Sequence, residues 1–204
     1  MPTRILLAED VQMVRGALAA LLHLEEDLLV VASVSRGDDI VPAALETRPD
    51  VAVLDINLPG TDGLTAAEEL HHELPNCGTL ILTSFGWPGL LRRALAAQVQ
   101  GFLTKEAPPG QLATSVRAVA AGRPAIAPEL LLDAWKHQEN PLSAREAEVL
   151  QHAARGTDVG EIATSLCLSR GTVQNYLTSI VSKLGARNRI DAVRIAYEEG
   201  WLVA

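Results

Sequence analysis

Across its first 120 residues the chain alternates short apolar runs with amphipathic stretches of helical period, and this pattern admits few folds. RILLAED, LLVVASV, DVAVLDI, TLILTS and GFLTK read as strands, because each is short, rich in Val, Ile and Leu, and bounded by polar or turn residues. Between and after them VRGALAALLHL, DIVPAALETR, TAAEELHHEL, LLRRALAAQ and PGQLATSVRAVAAG carry apolar residues at three- and four-residue spacing, as helices do. Strands that are apolar on both faces and separated by helices predict an α/β domain with a five-stranded parallel sheet, doubly wound and flavodoxin-like. Sites in such sheets lie beyond the carboxyl ends of strands. That rule points to Glu9 and Asp10, Asp55, Thr83 and Lys105.

A second pattern begins near residue 141. Ser143 with Glu146 forms the sequence of a capping box, and Gly156 ends the helix that follows. Asp158 can cap EIATSL, and Ser169 can cap a longer helix through GTVQNYLTSIVSKL, which Gly185 stops; NRIDAVRIAYEEG supplies a fourth helix. Residues 122–140 lie between the patterns, are punctuated by Gly122, Pro124 and Pro128, and read as a linker with a short helix over PELLLDAWKH. The chain therefore divides into an α/β domain over 1–121, a linker over 122–140 and an all-α domain over 141–204, in keeping with a length of 204 residues.

The formal charge of −8 argues against nucleic acid until it is apportioned. Residues 1–121 carry 8 Lys/Arg against 15 Asp/Glu, whereas residues 141–204 carry 7 against 7. Within residues 169–194, Arg170, Lys183, Arg187, Arg189 and Arg194 face only Asp191, which suits a phosphate-facing patch. No apolar run is long enough to span a bilayer, and the acids of MPTRILLAED exclude a signal peptide, so a cytoplasmic protein is expected. Cys77 and Cys167 show no metal spacing and read as reduced, buried thiols.

Three carboxylates gathered at one sheet edge repel one another, and a hard divalent cation, Mg²⁺, is the usual relief. Such an ion would leave Asp55 as an oxygen nucleophile, with the Lys105 ammonium and the Thr83 hydroxyl suited to phosphoryl oxygens. Strand ends collect polar residues in any case, but that explains one or two of these positions, not all five. The pieces LLAED, VLDINLPGTDG, LILTS and GFLTK resemble the receiver domain of two-component response regulators, over roughly residues 3–121. The resemblance implies Asp55 as phosphoacceptor and Asp10, Asp55 and the carbonyl of Asn57 as Mg²⁺ ligands, with Glu9 direct or through water. It also implies a switch pair, Thr83 and Phe102, and sets Asn57 and Phe85 where dephosphorylation is tuned. Phe102 can also be read as a core aromatic. Because every functional position is filled, a degenerate receiver is disfavoured.

Two short helices followed by LSRGTVQNYLTSIVSKL have the order of a helix-turn-helix, whose later helix enters the major groove. A plain four-helix bundle would bury the same stripe of Val173, Leu177, Ile180, Val181 and Leu184. The opposite face distinguishes the two, since Gln174, Asn175 and Thr178 can bond base edges beside the cations Arg170, Lys183 and Arg187. LSAREAEVL, EIATSL, SRGTV and SKLGARNRIDAV resemble the LuxR-type effector domain of the NarL/FixJ group over residues 141–202. By that resemblance Gln174, Asn175 and Thr178 read bases, while Ser169, Thr172, Tyr176, Lys183 and Arg187 position the backbone, and the helix from Asn188 to Gly200 pairs two effector domains. Most of the group has Lys and His where Gln174 and Tyr176 stand. TVQNY, NRIDA and the terminal EEGW are instead similar to a branch that controls a membrane-lipid desaturase. In that branch the receiver pairs through its first and fifth helices, here near Val14, Leu18, Leu112 and Val116, positions that read equally well as core.

The family implies a sensor histidine kinase, promoter DNA, RNA polymerase and a second copy of the chain as partners. Two other functions stay in view. A Mg²⁺-dependent aspartyl-phosphate phosphatase would want a second Asp where Asn57 stands, so Asn57 speaks for a switch. A phospho-receiver adaptor acting only on proteins would not need the Gln174, Asn175 and Thr178 face.

Overall fold

A computed structural model of the chain describes residues 1–84, 86–136 and 140–202. Phe85, expected to tune dephosphorylation, lies outside them.

Six parallel strands form one sheet in the order β2-β1-β3-β4-β5-β6: β1 (Thr3–Ala8), β2 (Leu28–Val34), β3 (Val51–Leu54), β4 (Gly78–Thr83), β5 (Gly101–Thr104) and β6 (Ala125–Ile126). The helices of this unit are α1 (Gln12–His23), α2 (Ile40–Thr47), α3 (Gly63–Glu73), α4 (Pro88–Ala96) and α5 (Pro109–Ala120). Side chains of successive strand residues point to opposite faces, and both faces are buried here. Ile5, Leu7, Val51, Val53, Leu80 and Leu82 cluster with Leu22 of α1 and Leu112, Val116 and Val119 of α5. Their neighbours Leu6, Ala52, Leu54 and Ile81, on the other face, are fully buried, as are Ile40 and Ala44 of α2 and Ala66, Ala67 and Leu70 of α3.

Two expectations change here. A sixth, two-residue strand joins the sheet, pairing Gly101 with Ala125 and Phe102 with Ile126, with the Ala125 amide 2.9 Å from the carbonyl of Gln100. Residues 125–126, expected within the linker 122–140, thus add an edge to the sheet, and the first compact unit runs on to Leu132. A strand of two residues has no periodicity to read. Leu112 and Val116, expected near a receiver pairing surface, are 4% and 0% exposed and belong to the core beneath α5, so they cannot meet a partner. Val14 and Leu18 are half-buried, and Leu18 packs against the same core.

Helix α6 (Pro128–Lys136) follows β6. The C-terminal unit is all helical: α7 (Ala144–Ala154), α8 (Val159–Ser165), α9 (Arg170–Lys183) and α10 (Arg189–Glu198). Ser143 with Glu146 and Asp158 with Glu161 both form complete capping boxes, and Ser169 caps α9 by accepting from the Thr172 amide at 3.1 Å. Gly156 and Gly185 have φ of 80° and 59°, the left-handed conformation that lets the chain leave α7 and α9. The core gathers Val149, Leu150, Ile162, Val173, Ile180, Ala192 and Ala196, with Leu177, Val181 and Leu184 packed partly buried against it. Among the described residues no helix is long and apolar enough to cross a membrane.

Candidate functional site

Strand order reverses at β1 and β3, where the connections from these strands diverge and leave a crevice at their carboxyl ends. Glu9 and Asp10 follow β1, and Asp55 follows β3, its amide bonded to the carbonyl of Ala8 at 2.9 Å. Oxygens of Glu9, Asp10 and Asp55 lie within 4.8 Å of one another. Asp10 is exposed, while Glu9 and Asp55 are 1% and 5% exposed.

Lys105, after β5, binds both buried acids: its Nζ is 2.7 Å from Glu9 Oε2 and 2.9 Å from Asp55 Oδ2. Burial opposes the ammonium, but its close contacts with the Glu9 and Asp55 carboxylates outweigh it and raise its pKa above the usual lysine value. The remaining oxygens are directed by backbone: Asp55 Oδ1 accepts from the Ile56 amide at 2.8 Å and Glu9 Oε1 from the Val11 amide at 3.2 Å. Arg15 of α1 donates to the carbonyls of Glu9 and Asp10 at 2.5 and 3.3 Å, tying down the turn that presents them. Glu9 Oε2, although close to Lys105, makes no well-directed hydrogen bond and is fully buried. One buried oxygen without a directed donor, beside two more carboxylates, is the donor set a hard divalent cation takes.

Thr83 ends β4 with 0% exposure, and its carbonyl accepts from the Lys105 amide at 2.8 Å. Phe102, in β5, is 2% exposed, with its ring in the core. Asn57 is exposed on the loop after β3. That loop runs into α3 at Gly63, where a Cβ would come within 1.9 Å of the Asp55 carbonyl, so only glycine permits the approach.

In the helical unit, Arg170, Gln174, Asn175 and Thr178 are exposed along α9. Thr178 Oγ1 donates back to the carbonyl of Gln174 at 3.0 Å, and Ser169 Oγ shares a hydrogen bond with Thr172 Oγ1 at 2.8 Å. The Arg170 guanidinium lies along α8, where a Cβ on Gly160 would stand 2.5 Å from it. Tyr176 is half-buried against the core.

Lys183 and Arg187, expected to position the DNA backbone, are each held by a buried acid. Lys183 Nζ lies 2.7 Å from Oε2 of Glu146, whose other oxygen accepts from the Ser179 hydroxyl at 2.8 Å. Arg187 pairs with Asp191 at 3.1 Å, as does Arg194 at 3.0 Å, and the Arg187 guanidinium, the Arg187 amide and Arg194 hold the Asp191 carboxyl well below the usual range. Sequence reasoning identified Glu146 as a cap but missed this second use. The Ser179 and Lys183 positions, 33 and 37 residues away, offered no local signal.

Comparison with known proteins agrees with both halves. The response regulator receiver domain family matches residues 5–117, and the luxR family of bacterial regulatory proteins matches residues 140–196. The transcriptional regulatory protein DesR of Bacillus subtilis is 44% identical over 97% of this chain and 98% of its own. The transcriptional regulatory protein YvfU of the same organism is 41% identical over 98% and 99%. The crystal structure of the response regulator ChrA, from a heme-sensing two-component system, superposes with a TM-score of 0.59 at 34% identity over 98% of each chain. RcsB, solved as a DNA complex, shares the fold at 24% identity, with a TM-score of 0.68 over 97% of this chain and 99% of that one. A receiver pocket at the turn of the sheet and a LuxR-type helical unit thus occur on one chain, which belongs to the NarL/FixJ-type two-component response regulators.

Proposed function

We propose that the protein is a transcriptional switch in which Asp55 accepts a phosphoryl group from a sensor histidine kinase, and that phosphorylation promotes pairing of two chains on promoter DNA. The observation that carries this reading is the buried Asp55 carboxylate, ion-paired at 2.9 Å with Lys105 where the sheet order reverses. An Asp55 oxygen attacks the phosphorus of the donor's phosphohistidine. As the O–P bond forms, the P–N bond breaks and its electron pair stays on the imidazole nitrogen.

Glu9, Asp10, Asp55 and the carbonyl of Asn57 would hold Mg²⁺, which when bound neutralises charge on the phosphoryl group. Lys105 leaves its carboxylate partners for a phosphoryl oxygen, and the Thr83 hydroxyl bonds another. Thr83 and Phe102 then form the bistable pair that relays the charge change. Asn57, which cannot act as a general acid, supports a switch over a phosphatase.

On DNA, Gln174, Asn175 and Thr178 read base edges, and Ser169, Arg170, Thr172, Tyr176, Lys183 and Arg187 set the backbone register. Exposure of Ile190, at 81%, supports pairing through α10. Contact with RNA polymerase and a cytoplasmic setting accord with relatives that are transcriptional regulators. The TVQNY, NRIDA and EEGW likenesses favour genes of membrane-lipid desaturation as the target.

Footprinting of wild type and Asp55→Asn with and without a phosphodonor tests the switch. The expected result is tighter binding by phosphorylated wild type alone. Wild-type affinity that ignores the donor overturns it.

A further inference from the structure

The loop that carries Asn57 is gripped from outside by the connection between β2 and α2. Asp38, in a single 3₁₀ turn at Gly37–Asp39, accepts through Oδ1 from both the amide and the hydroxyl of Thr61, at 3.0 and 2.8 Å. Its Oδ2 takes Arg36 at 2.9 Å, and the Gly37 amide donates to the carbonyl of Pro59 at 3.1 Å.

The fit leaves no spare room. A Cβ on Gly37 would stand 1.7 Å from the Thr61 carbonyl. One on Gly60, whose φ is +82°, would stand 2.1 Å from the Asp38 carboxylate. Beyond Thr61, Asp62 caps α3 by accepting from the amides of Leu64 and Thr65. The segment 59–61 is therefore fixed by Asp38 and Gly37 on one side and by the α3 cap on the other. Asn57 stands two residues before Pro59, so the clamp restrains the backbone that carries its carbonyl.

We propose that Asp38 is a positioning residue for the acidic pocket: through Thr61 it sets the backbone of residues 57–61, and with it the Asn57 carbonyl, for a divalent cation at Glu9, Asp10 and Asp55. This rests on the phosphoacceptor reading of that pocket. Residues behind a metal's direct ligands tune affinity by orienting those ligands, commonly by about ten- to a hundred-fold. Asp38 acts through a half-exposed loop, so a smaller effect, roughly three- to tenfold, is expected.

The test is calorimetric titration of the full chain with Mg²⁺, alongside thermal unfolding, for wild type, Asp38→Ala, Asp38→Asn and Thr61→Val. Asp38→Ala and Thr61→Val should each raise the Mg²⁺ Kd about three- to tenfold. The double variant Asp38→Ala/Thr61→Val should be no worse than Asp38→Ala alone, because the Thr61 hydroxyl bond is one of those that Asp38→Ala already removes. Asp38→Asn keeps an acceptor for Thr61 and should recover most of the wild-type affinity.

If the effect is only lost negative charge, Asp38→Asn will match Asp38→Ala and Thr61→Val will match wild type; that pattern overturns the proposal. A lower melting temperature with unchanged Kd also overturns it. Thr61→Val decides the matter if Asp38→Ala does not fold. If the wild type itself neither takes up Mg²⁺ nor is phosphorylated, the phosphoacceptor reading fails and the proposal with it. Wild-type binding and phosphorylation with unaltered variants would sink the proposal alone.

Discussion

The ammonium of Lys183, in the last turn of α9, rests 2.7 Å from a carboxylate oxygen of Glu146 that also closes the capping box of α7. One buried acid therefore fixes the start of α7 and the end of α9 together.

Lys183→Met removes one partner of that acid and should destabilise the helical unit by about 1–3 kcal/mol in urea unfolding of the full chain. Lys183 is already neutralised by Glu146, so its loss should flatten the salt dependence of DNA binding by less than the one unit expected for Arg170→Ala. Equal slopes for the two variants would contradict this.

Burial opposes the charge on Glu146, but Lys183, the backbone of Ser143 and the Ser179 hydroxyl outweigh it and hold its pKa at about 2. A carboxyl depressed on folding stabilises the fold above its unfolded pKa, and that contribution fades as pH falls through the folded value. Wild type should lose stability over and above Glu146→Gln between about pH 5 and pH 2, the variant being weaker at neutral pH. Parallel stability curves would rule out this linkage.

Lys105 shields Glu9 from Asp55, at 2.7 and 2.9 Å. Lys105→Met should tighten Mg²⁺ binding roughly tenfold, the repulsion between a monovalent and a divalent cation about 5 Å apart with water-like screening. It should also slow phosphorylation by a small-molecule donor by about a hundredfold or more. Mg²⁺ binding that weakens in the variant would show that Lys105 orders the carboxylates rather than opposing the ion.

Asn175→Ala should relax preference at one base position by about 1–3 kcal/mol while leaving non-specific affinity unchanged. A binding-site selection that returns the wild-type motif would remove Asn175 from base readout.

Cys167, expected as a buried thiol, is instead exposed in the turn between α8 and α9, with φ +54°. Cys167→Val should cost about 1–2 kcal/mol, because branching at Cβ worsens the left-handed conformation, whereas Cys167→Gly should be neutral or stabilising. Thermal unfolding of both variants decides it.

Local signals carried much of this protein. Short apolar runs marked the five longer strands, the caps Ser143, Asp158 and Ser169 and the stops Gly156 and Gly185 marked helices of the C-terminal unit, and Glu9, Asp10, Asp55, Thr83 and Lys105 were legible because a doubly wound sheet puts strand ends on one edge. Tertiary structure decided whatever depends on partners distant in the chain. It placed Leu112 and Val116 in the core, since an amphipathic stripe does not say whether it faces its own sheet or a partner. It recruited residues 125–126 to the sheet edge through backbone hydrogen bonds to β5, for which two residues hold no pattern. It joined Glu146 to Lys183 by an ion pair and Asp38 to Thr61 by hydrogen bonds, because both act through space at a few ångströms and sequence distance does not limit them.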